Sequence, residues 1–142
     1  MSEHAKAVVR RLREEAISTG DFALFAELVA PDVVYRGPCL MPEVRGREAF
    51  GQAIAGFRAI LPDLTERVEA QWADGEWVTT HFRTSGTHLG AFMGGEPTGN
   101  RLEGWGLDVS QVVDGQVVEM WAMFDALAML QAFGVVTMPS GG

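Results

Sequence analysis

The sequence predicts an α+β domain in which early helices cover one face of a strongly bent antiparallel sheet. Apolar residues recur at helical spacing through most of the chain before Pro62, whereas the later chain alternates apolar and polar residues as strands do. Two Asp-Gly dipeptides, Asp74-Gly75 and Asp114-Gly115, join β-rich runs into hairpins. A sheet that curls over a long apolar helix leaves a cone-shaped cavity, where small ligands bind.

The first predicted helix begins at Ser2, a good N-cap residue, and ends at Gly20. Its apolar positions keep helical spacing and predict a buried stripe. We place Arg10, Arg13 and Glu14 on the opposite, exposed side of this helix.

Two further helices follow. Asp21 is the predicted N-cap of a short helix that stops at Pro31, and a brief β-like run covers residues 33–35. The segment 37–46 contains two prolines and is predicted to be a loop. Arg47 to Leu61 forms a third helix whose broad apolar stripe includes Phe57.

Four β-rich runs form the predicted sheet, and a glycine-rich loop at residues 90–99 separates the second run from the third. The runs cover residues 64–72, 77–87, 102–113 and 116–122. A last helix is predicted from Phe124 to Phe133, with a loose tail at residues 135–142.

Composition narrows the class of protein. A chain of 142 residues with 47% apolar residues fits one domain, 1–142, with a full core. The formal net charge of −8 disfavours nucleic acid and anionic membranes as partners, because both require a basic surface. The single Cys39 excludes an internal disulfide, and no apolar run is long enough to span a membrane. We therefore expect a cytoplasmic protein.

Several common chemistries lack their motifs. The sequence contains no Walker A run, and Val109 stands where the third glycine of a dinucleotide fingerprint would follow Gly104 and Gly106. Its three histidines have no metal-ligand spacing, and Cys39 has no histidine near it in sequence. We expect no metal and no cofactor, which leaves acid–base chemistry.

Asp108 is the main candidate for that chemistry. It shares a strand face with Gly104 and Gly106, whose small size leaves room for a ligand beside the carboxylate. Burial in an apolar cavity raises the pKa of a carboxylate, and such a group can work as acid or base near neutral pH. The alternative is an Asp that backbone donors satisfy or that points into water.

Two further polar residues have a functional and a structural interpretation. His88 stands at a strand end and can face the cavity mouth or be a hydrogen-bonded structural histidine. Tyr35 can donate a phenolic hydrogen bond to a ligand or only pack.

The four tryptophans, Trp72, Trp77, Trp105 and Trp121, have a parity that predicts the outer face of the sheet. Aromatic residues on an outer face indicate a subunit interface, so a homodimer or homotetramer through this face is expected. The alternative is that some of them belong to the core.

Short motifs with a common order run along nearly the whole chain. In the second half they are Thr87-His88-x-Gly90-x-Phe92-x-Gly94, Pro97-Thr98-Gly99-x-Arg101, Gly106-x-Asp108, Val113-Asp114-Gly115-x-Val117-x-Glu119-x-Trp121 and Phe124-Asp125-x-Leu127-x-x-Leu130-Gln131-x-x-Gly134. In the first half they are Val8-Val9-Arg10-Arg11-Leu12, Gly20-Asp21, Leu28-x-x-Pro31-Asp32 and Pro62-Asp63-Leu64. Together these motifs resemble the SnoaL-like polyketide cyclases.

The resemblance implies the NTF2-like cone and a cofactor-free intramolecular aldol closure of an aromatic polyketide ester. In the characterised cyclases an aspartate on the last strand is the acid–base group, with a histidine, a glutamine and an asparagine nearby. Aligned by motif, the aspartate falls on Ala122, the histidine on Asp108, the glutamine on Gly106 and the asparagine on Tyr35. Many relatives also carry a histidine where this chain has Met120. Ala122 cannot transfer a proton, so either Asp108 replaces the aspartate or the chemistry differs.

The leading hypothesis is therefore a cyclase or isomerase of secondary metabolism that acts by proton transfer on a small hydrophobic or aromatic polyketide-like substrate. Asp108 would transfer the proton, with His88 and Tyr35 as orienting or donating partners. Phe57, Phe82, Gly106, Met120 and Ala122 would complete the substrate site. The alternatives are a non-catalytic ligand-binding or dimerisation domain of the same fold, and water addition of the epoxide-hydrolase type.

Overall fold

Antiparallel hairpins and four helices make up the computed structural model, which describes residues 2–37, 43–137 and 139. The helices are α1 (Ser2–Arg11), α2 (Phe22–Leu28), α3 (Arg47–Ile60) and α4 (Ala126–Ala132). The strands are β1 (Val29–Arg36), β2 (Val44–Arg45), β3 (Thr65–Asp74), β4 (Trp77–Thr87), β5 (Arg101–Val113) and β6 (Gln116–Phe124). The α+β class is confirmed. Parts of the predicted loop at 37–46 and of the predicted tail at 135–142 lie outside the described residues.

One curved sheet holds all six strands in the order β2-β1-β6-β5-β4-β3. Its pairs are antiparallel except for β1 and β6, which run parallel. Asp114 and Gly115 have φ angles of 51° and 78°, so the turn between β5 and β6 has the backbone that the Asp-Gly dipeptide predicts. Fully buried apolar side chains such as Val9, Leu12 and Phe50 fill the space between the helices and the inner face of the sheet.

The first helix departs from its predicted pattern. After α1 it continues as a π-helical segment, Leu12–Ile17, in which the N–H of Ser18 bonds to the carbonyl of Arg13, five residues earlier. Arg13 is only 5% exposed, so its predicted place on the solvent side is wrong. The reason is visible in the spacing: Arg13 stands four residues from both Val9 and Ile17, which are buried on the same face.

Two element boundaries near β1 also differ from the prediction. The second helix ends at Leu28 rather than at Pro31, because Val29 already pairs with Val117 of the parallel neighbour β6. Within the predicted loop, the short strand β2 pairs with β1. At the other end of the chain, β6 extends to Phe124, and Asp125 caps α4 by accepting the N–H of Ala128 at 3.0 Å.

A β-bulge changes the alternation of β3. Val68 pairs with Phe82, but Ala70 pairs with His81, so one extra residue lies on β3 between them. Before the bulge Glu66 faces the helices and is buried, and after it Trp72 faces outward with 58% of its surface exposed.

No helix among the described residues is long and apolar enough to cross a membrane.

Candidate active site

A cavity of about 260 Å³ lies between α3 and the inner face of the curved sheet. Its wall is mostly apolar. The aliphatic and aromatic lining includes Ile54, Phe57, Phe82, Phe92, Ala122 and Phe124. The polar lining side chains are Arg13, Tyr35, Glu66 and Thr84. A predominantly apolar space with a few polar groups is typical of small-molecule sites.

Arg13 links two carboxylates beside this cavity. Its Nε donates to Asp108 Oδ2 at 2.7 Å, and its Nη1 donates to Glu66 Oε1 at 2.8 Å. The guanidinium lies over the Phe82 ring, with Cζ 3.6 Å from the ring centroid. All three charged side chains are almost fully excluded from solvent.

Ser18 and Thr84 hold this cluster in place. The Ser18 hydroxyl lies 2.9 Å from the Arg13 carbonyl and 3.0 Å from the Glu66 carbonyl, and it accepts the Glu66 N–H at 2.7 Å. The Thr84 hydroxyl donates to Glu66 Oε2 at 3.2 Å. The π-helical segment and β3 are therefore joined at the residues that carry the charges.

The cluster holds one cation against two anions. With both carboxylates ionised it carries one net negative charge in an apolar surrounding. Burial raises the pKa of Asp108, and the Arg13 charge and the bonds from Arg13 and Ser110 offset this only in part. Burial alone would lower the pKa of Arg13, but the charges of Glu66 and Asp108 outweigh it and the pKa is raised. Arg13 therefore stays charged.

Tyr35 forms another part of the polar wall. Its ring stacks on Phe50 with centroids 4.2 Å apart. Burial raises the pKa of Tyr35 to about 12, although the Arg13 charge lowers it. Near neutral pH the side chain is a phenol that can donate its O–H to a ligand.

Four of the predicted site residues line the cavity: Tyr35, Phe57, Phe82 and Ala122. The other four do not. Gly106 lies under the Phe82 ring, where an added Cβ would come within 2.6 Å of Phe82 Cζ. Met120 is buried, and its sulfur lies 3.8 Å from Arg13 Nη2. Asp108 is buried on the strand face that it shares with Gly106, but it does not line the cavity; it accepts from Arg13 at 2.7 Å and from Ser110 at 3.0 Å.

His88 belongs to a different group of residues. It is fully buried, and its Nδ1 lies 2.9 Å from the Thr98 hydroxyl oxygen and 3.1 Å from the Thr98 backbone nitrogen. Among the described residues, His88 Nε2 is the one buried side-chain nitrogen or oxygen without a hydrogen-bond partner. The ring packs on Phe133 of the α4 region, with centroids 4.4 Å apart. The structure thus does not bring His88 and Asp108 together, and their catalytic roles stay predictions.

Sequence reasoning missed Arg13, Glu66 and Thr84. A sequence signal existed for two of them. Arg13 interrupts the buried stripe of its helix, and Glu66 stands between buried Leu64 and Val68 in an alternating strand.

In the part of the chain that the structure describes, no group of three His, Cys, Asp or Glu side chains is arranged to hold a metal ion.

The bent sheet, the covering helices and the cavity between them define the chain as an NTF2-like cone. The chain belongs to the SnoaL-like polyketide cyclase family, whose model matches residues 7–133. It is 27% identical over 118 residues to aklanonic acid methyl ester cyclase AcmA of Streptomyces galilaeus, covering 82% of this chain and 81% of that protein.

Solved structures of SnoaL-like proteins share this fold. IdmH of Streptomyces antibioticus superposes with a TM-score of 0.80 and 34% identity, covering 92% of this chain and 99% of the other. A SnoaL-like protein of Jannaschia sp. CCS1 superposes with a TM-score of 0.85 and 25% identity, covering 96% and 95%. Family membership supports a cyclase role in general.

Proposed function

We propose that this protein closes a ring in a small polyketide-type molecule by proton transfer inside the cavity, without a cofactor. The observation that carries the proposal is an apolar cavity with a carboxylate, a guanidinium and a phenol in its wall: Glu66, Arg13 and Tyr35. Apolar walls hold a hydrophobic substrate, and the polar groups fix its orientation.

The proposed reaction is an intramolecular aldol closure or a related isomerisation. A carboxylate removes a proton from a carbon next to a carbonyl, and the resulting enolate carbon attacks a second carbonyl carbon. One C–C bond forms, and the new alkoxide oxygen takes a proton. Product and substrate have the same composition, so the reaction requires no oxidant or reductant.

The Arg13 cluster contains carboxylates that can replace the titratable group missing at Ala122. The resemblance assigns the usual acid–base aspartate to the position of Ala122, which has no titratable group. Asp108 pairs with Ala122 across the β5–β6 ladder, and Glu66 reaches the same cavity from β3. Carboxylates are thus available near the cavity without the usual residue.

Product analysis tests the proposal. The unaltered protein is incubated with an aromatic β-polyketone methyl ester. The products are then separated, and their molecular masses are measured by mass spectrometry. We expect a product of unchanged mass with one more ring, formed faster than in buffer. Met123→Leu, a change on the outer face where the side chain is 69% exposed, should retain the full rate. Conversion at the buffer rate would contradict the proposal.

A non-catalytic ligand-binding role is the second candidate. It is favoured by one observation, namely that both carboxylates already pair with Arg13 at 2.7 and 2.8 Å. Saturable binding of the same ester with no conversion would support this candidate over the first.

We further propose that the protein self-associates through the outer face of the sheet. Large apolar side chains there are 39–69% exposed and form a patch that a monomer would leave in water. They are Trp72, Trp77, Trp105, Leu107, Val109, Trp121 and Met123.

A further inference from the structure

Two carboxylates share Arg13, but only one of them belongs to the cavity wall. Glu66 lines the cavity. The Asp108 side chain is 0% exposed and lies between Arg13 Nε and the Ser110 hydroxyl. A substrate in the cavity can therefore meet the Glu66 carboxylate directly, whereas the Asp108 carboxylate is not part of the cavity wall.

Each oxygen of the Glu66 carboxylate accepts only one hydrogen bond from the protein, so a lone pair on each is free to take a proton. Oε1 accepts one bond, from Arg13 Nη1, and Oε2 accepts one bond, from the Thr84 hydroxyl. A carboxylate oxygen can accept two bonds, so each oxygen keeps one free position. The backbone on both sides of Glu66 is held by Ser18 and by pairing with β4, which fixes the direction of the carboxylate.

One nitrogen of the Arg13 guanidinium, Nη2, donates only a weak hydrogen bond within the protein. A guanidinium has five N–H groups, and the acceptor that the structure gives to Nη2 is the thioether sulfur of Met120 at 3.8 Å. Sulfur is a weak acceptor, so a carbonyl oxygen or enolate beside Nη2 would form a stronger, charge-assisted bond. The contact with the Phe82 ring and the bond to Asp108 hold the guanidinium in place.

We infer that Glu66 is the catalytic residue that accepts the substrate proton, that Arg13 binds the substrate carbonyl, and that Asp108 is a positioning residue that acts through Arg13. This inference rests on the proposed ring closure. Glu66 takes the proton from the carbon next to the carbonyl, and Arg13 stabilises the negative charge that develops on the carbonyl oxygen. After the C–C bond forms, Glu66 returns the proton to the alkoxide oxygen, so the carboxylate is regenerated and no atom is left over.

The variants Glu66→Gln and Asp108→Asn separate the two roles. Each removes a charge and keeps the shape and an acceptor oxygen for Arg13. With the aromatic β-polyketone methyl ester as substrate, Glu66→Gln should lower kcat by ~10² to 10⁴, the range for loss of a general base, with KM changed only a few-fold. Asp108→Asn should lower kcat less than tenfold and raise KM, because Arg13 keeps Glu66 but its Nε then donates to a neutral amide oxygen, which orients the guanidinium less firmly than a carboxylate does.

The pH profile of kcat/KM gives a readout that a merely structural role would not change. The acidic limb, where the base becomes protonated, should disappear in Glu66→Gln and remain in Asp108→Asn. Glu69→Gln is the matched control on the same strand. Its side chain is 32% exposed and lies 3.4 Å from Arg83 on the other face, so the unaltered rate is expected.

The outcomes are distinct. Full activity in Glu66→Gln, or loss of the acidic limb in Asp108→Asn alone, overturns the inference and leaves the proposed ring closure standing. An unaltered protein that converts nothing overturns both. If Glu66→Gln does not fold, Glu66→Asp keeps the charge and withdraws it by one methylene group. That variant should lower kcat while retaining the acidic limb, and an unchanged kcat would count against the inference.

Discussion

Arg13 Nε donates a hydrogen bond of 2.7 Å to Asp108 Oδ2 across 95 residues of sequence. The bond joins the first helix to β5 inside the protein, where both side chains are almost fully buried. With the bond from Arg13 to Glu66, it makes the cluster both a structural link and the charged part of the candidate active site.

Removal of Arg13 should strongly destabilise the fold. Arg13→Met would leave two buried carboxylates without their cation, and breaking a buried ion pair in this way typically costs about 3–5 kcal/mol. Urea unfolding measures the free energy of unfolding. The matched control is Arg10→Met, because Arg10 pairs with Glu14 at 3.5 Å on the surface and should change the same quantity by less than about 1 kcal/mol. Equal effects in the two variants would contradict this account.

Asp108 should give the stability a defined pH dependence. Burial raises the pKa of Asp108 above the ordinary value of 3.8, so between that pH and the raised pKa the native state binds more protons than the unfolded state. The Asp108 contribution is therefore complete below the unfolded pKa and is lost as pH rises through the folded pKa. The free energy of unfolding of the unaltered protein minus that of Asp108→Asn should fall with rising pH, by at most about 1.4 kcal/mol per pH unit. A difference that rises with pH would contradict the assignment.

Gly106 should be required for the position of Phe82 and Arg13. An added Cβ would come within 2.6 Å of Phe82 Cζ and 2.6 Å of the Met123 carbonyl, and overpacking of this kind costs about 1–3 kcal/mol. Gly106→Ala should lower the thermal midpoint and weaken ester binding. Gly104→Ala is the control on the same strand face, because its Cβ would have Asp125 Cβ as the nearest atom at 3.9 Å. If Gly106→Ala had the same stability and the same ester binding as Gly104→Ala, the close approach of Phe82 to Gly106 would be unimportant.

Charge on the outer face should separate the proposed subunits. Trp105 is 50% exposed in the apolar patch, and Trp105→Glu would bury a carboxylate in any interface formed there. Sedimentation equilibrium should show an oligomer for the unaltered protein and a smaller species for the variant. Glu48→Lys, on the exposed side of α3, should leave the mass unchanged. A monomeric unaltered protein would contradict self-association.

Local patterns predicted the parts of the fold that local physics determines. Asp114-Gly115 adopts the positive φ angles of a tight hairpin turn, and the strand alternation that puts Asp108 on one face with Gly104 and Gly106 holds, although it did not say whether that face is buried. The Arg13 cluster was not predictable in the same way. Periodicity can place Arg13 and Glu66 on buried faces, but it contains no information on the distant charged partners that make their burial stable.

The bulge in β3 shows a second limit. Strict alternation would place Glu66 and Trp72 on one face, but the extra residue near Glu69 puts them on opposite faces. A bulge of this kind depends on pairing with β4 and has no local sequence signal here. The same feature separates the cavity side of β3 from the outer tryptophan patch.

A crystal structure with a bound, non-cyclisable analogue of the aromatic β-polyketone ester tests the central claim most directly. We expect the aromatic rings against Phe57 and Ala122, and one carbonyl oxygen about 3 Å from Arg13 Nη2, within hydrogen-bond distance. The enolisable carbon should face the Glu66 carboxylate. An analogue that binds on the outer tryptophan face, or in the cavity with no polar atom near Arg13 or Glu66, would contradict the account.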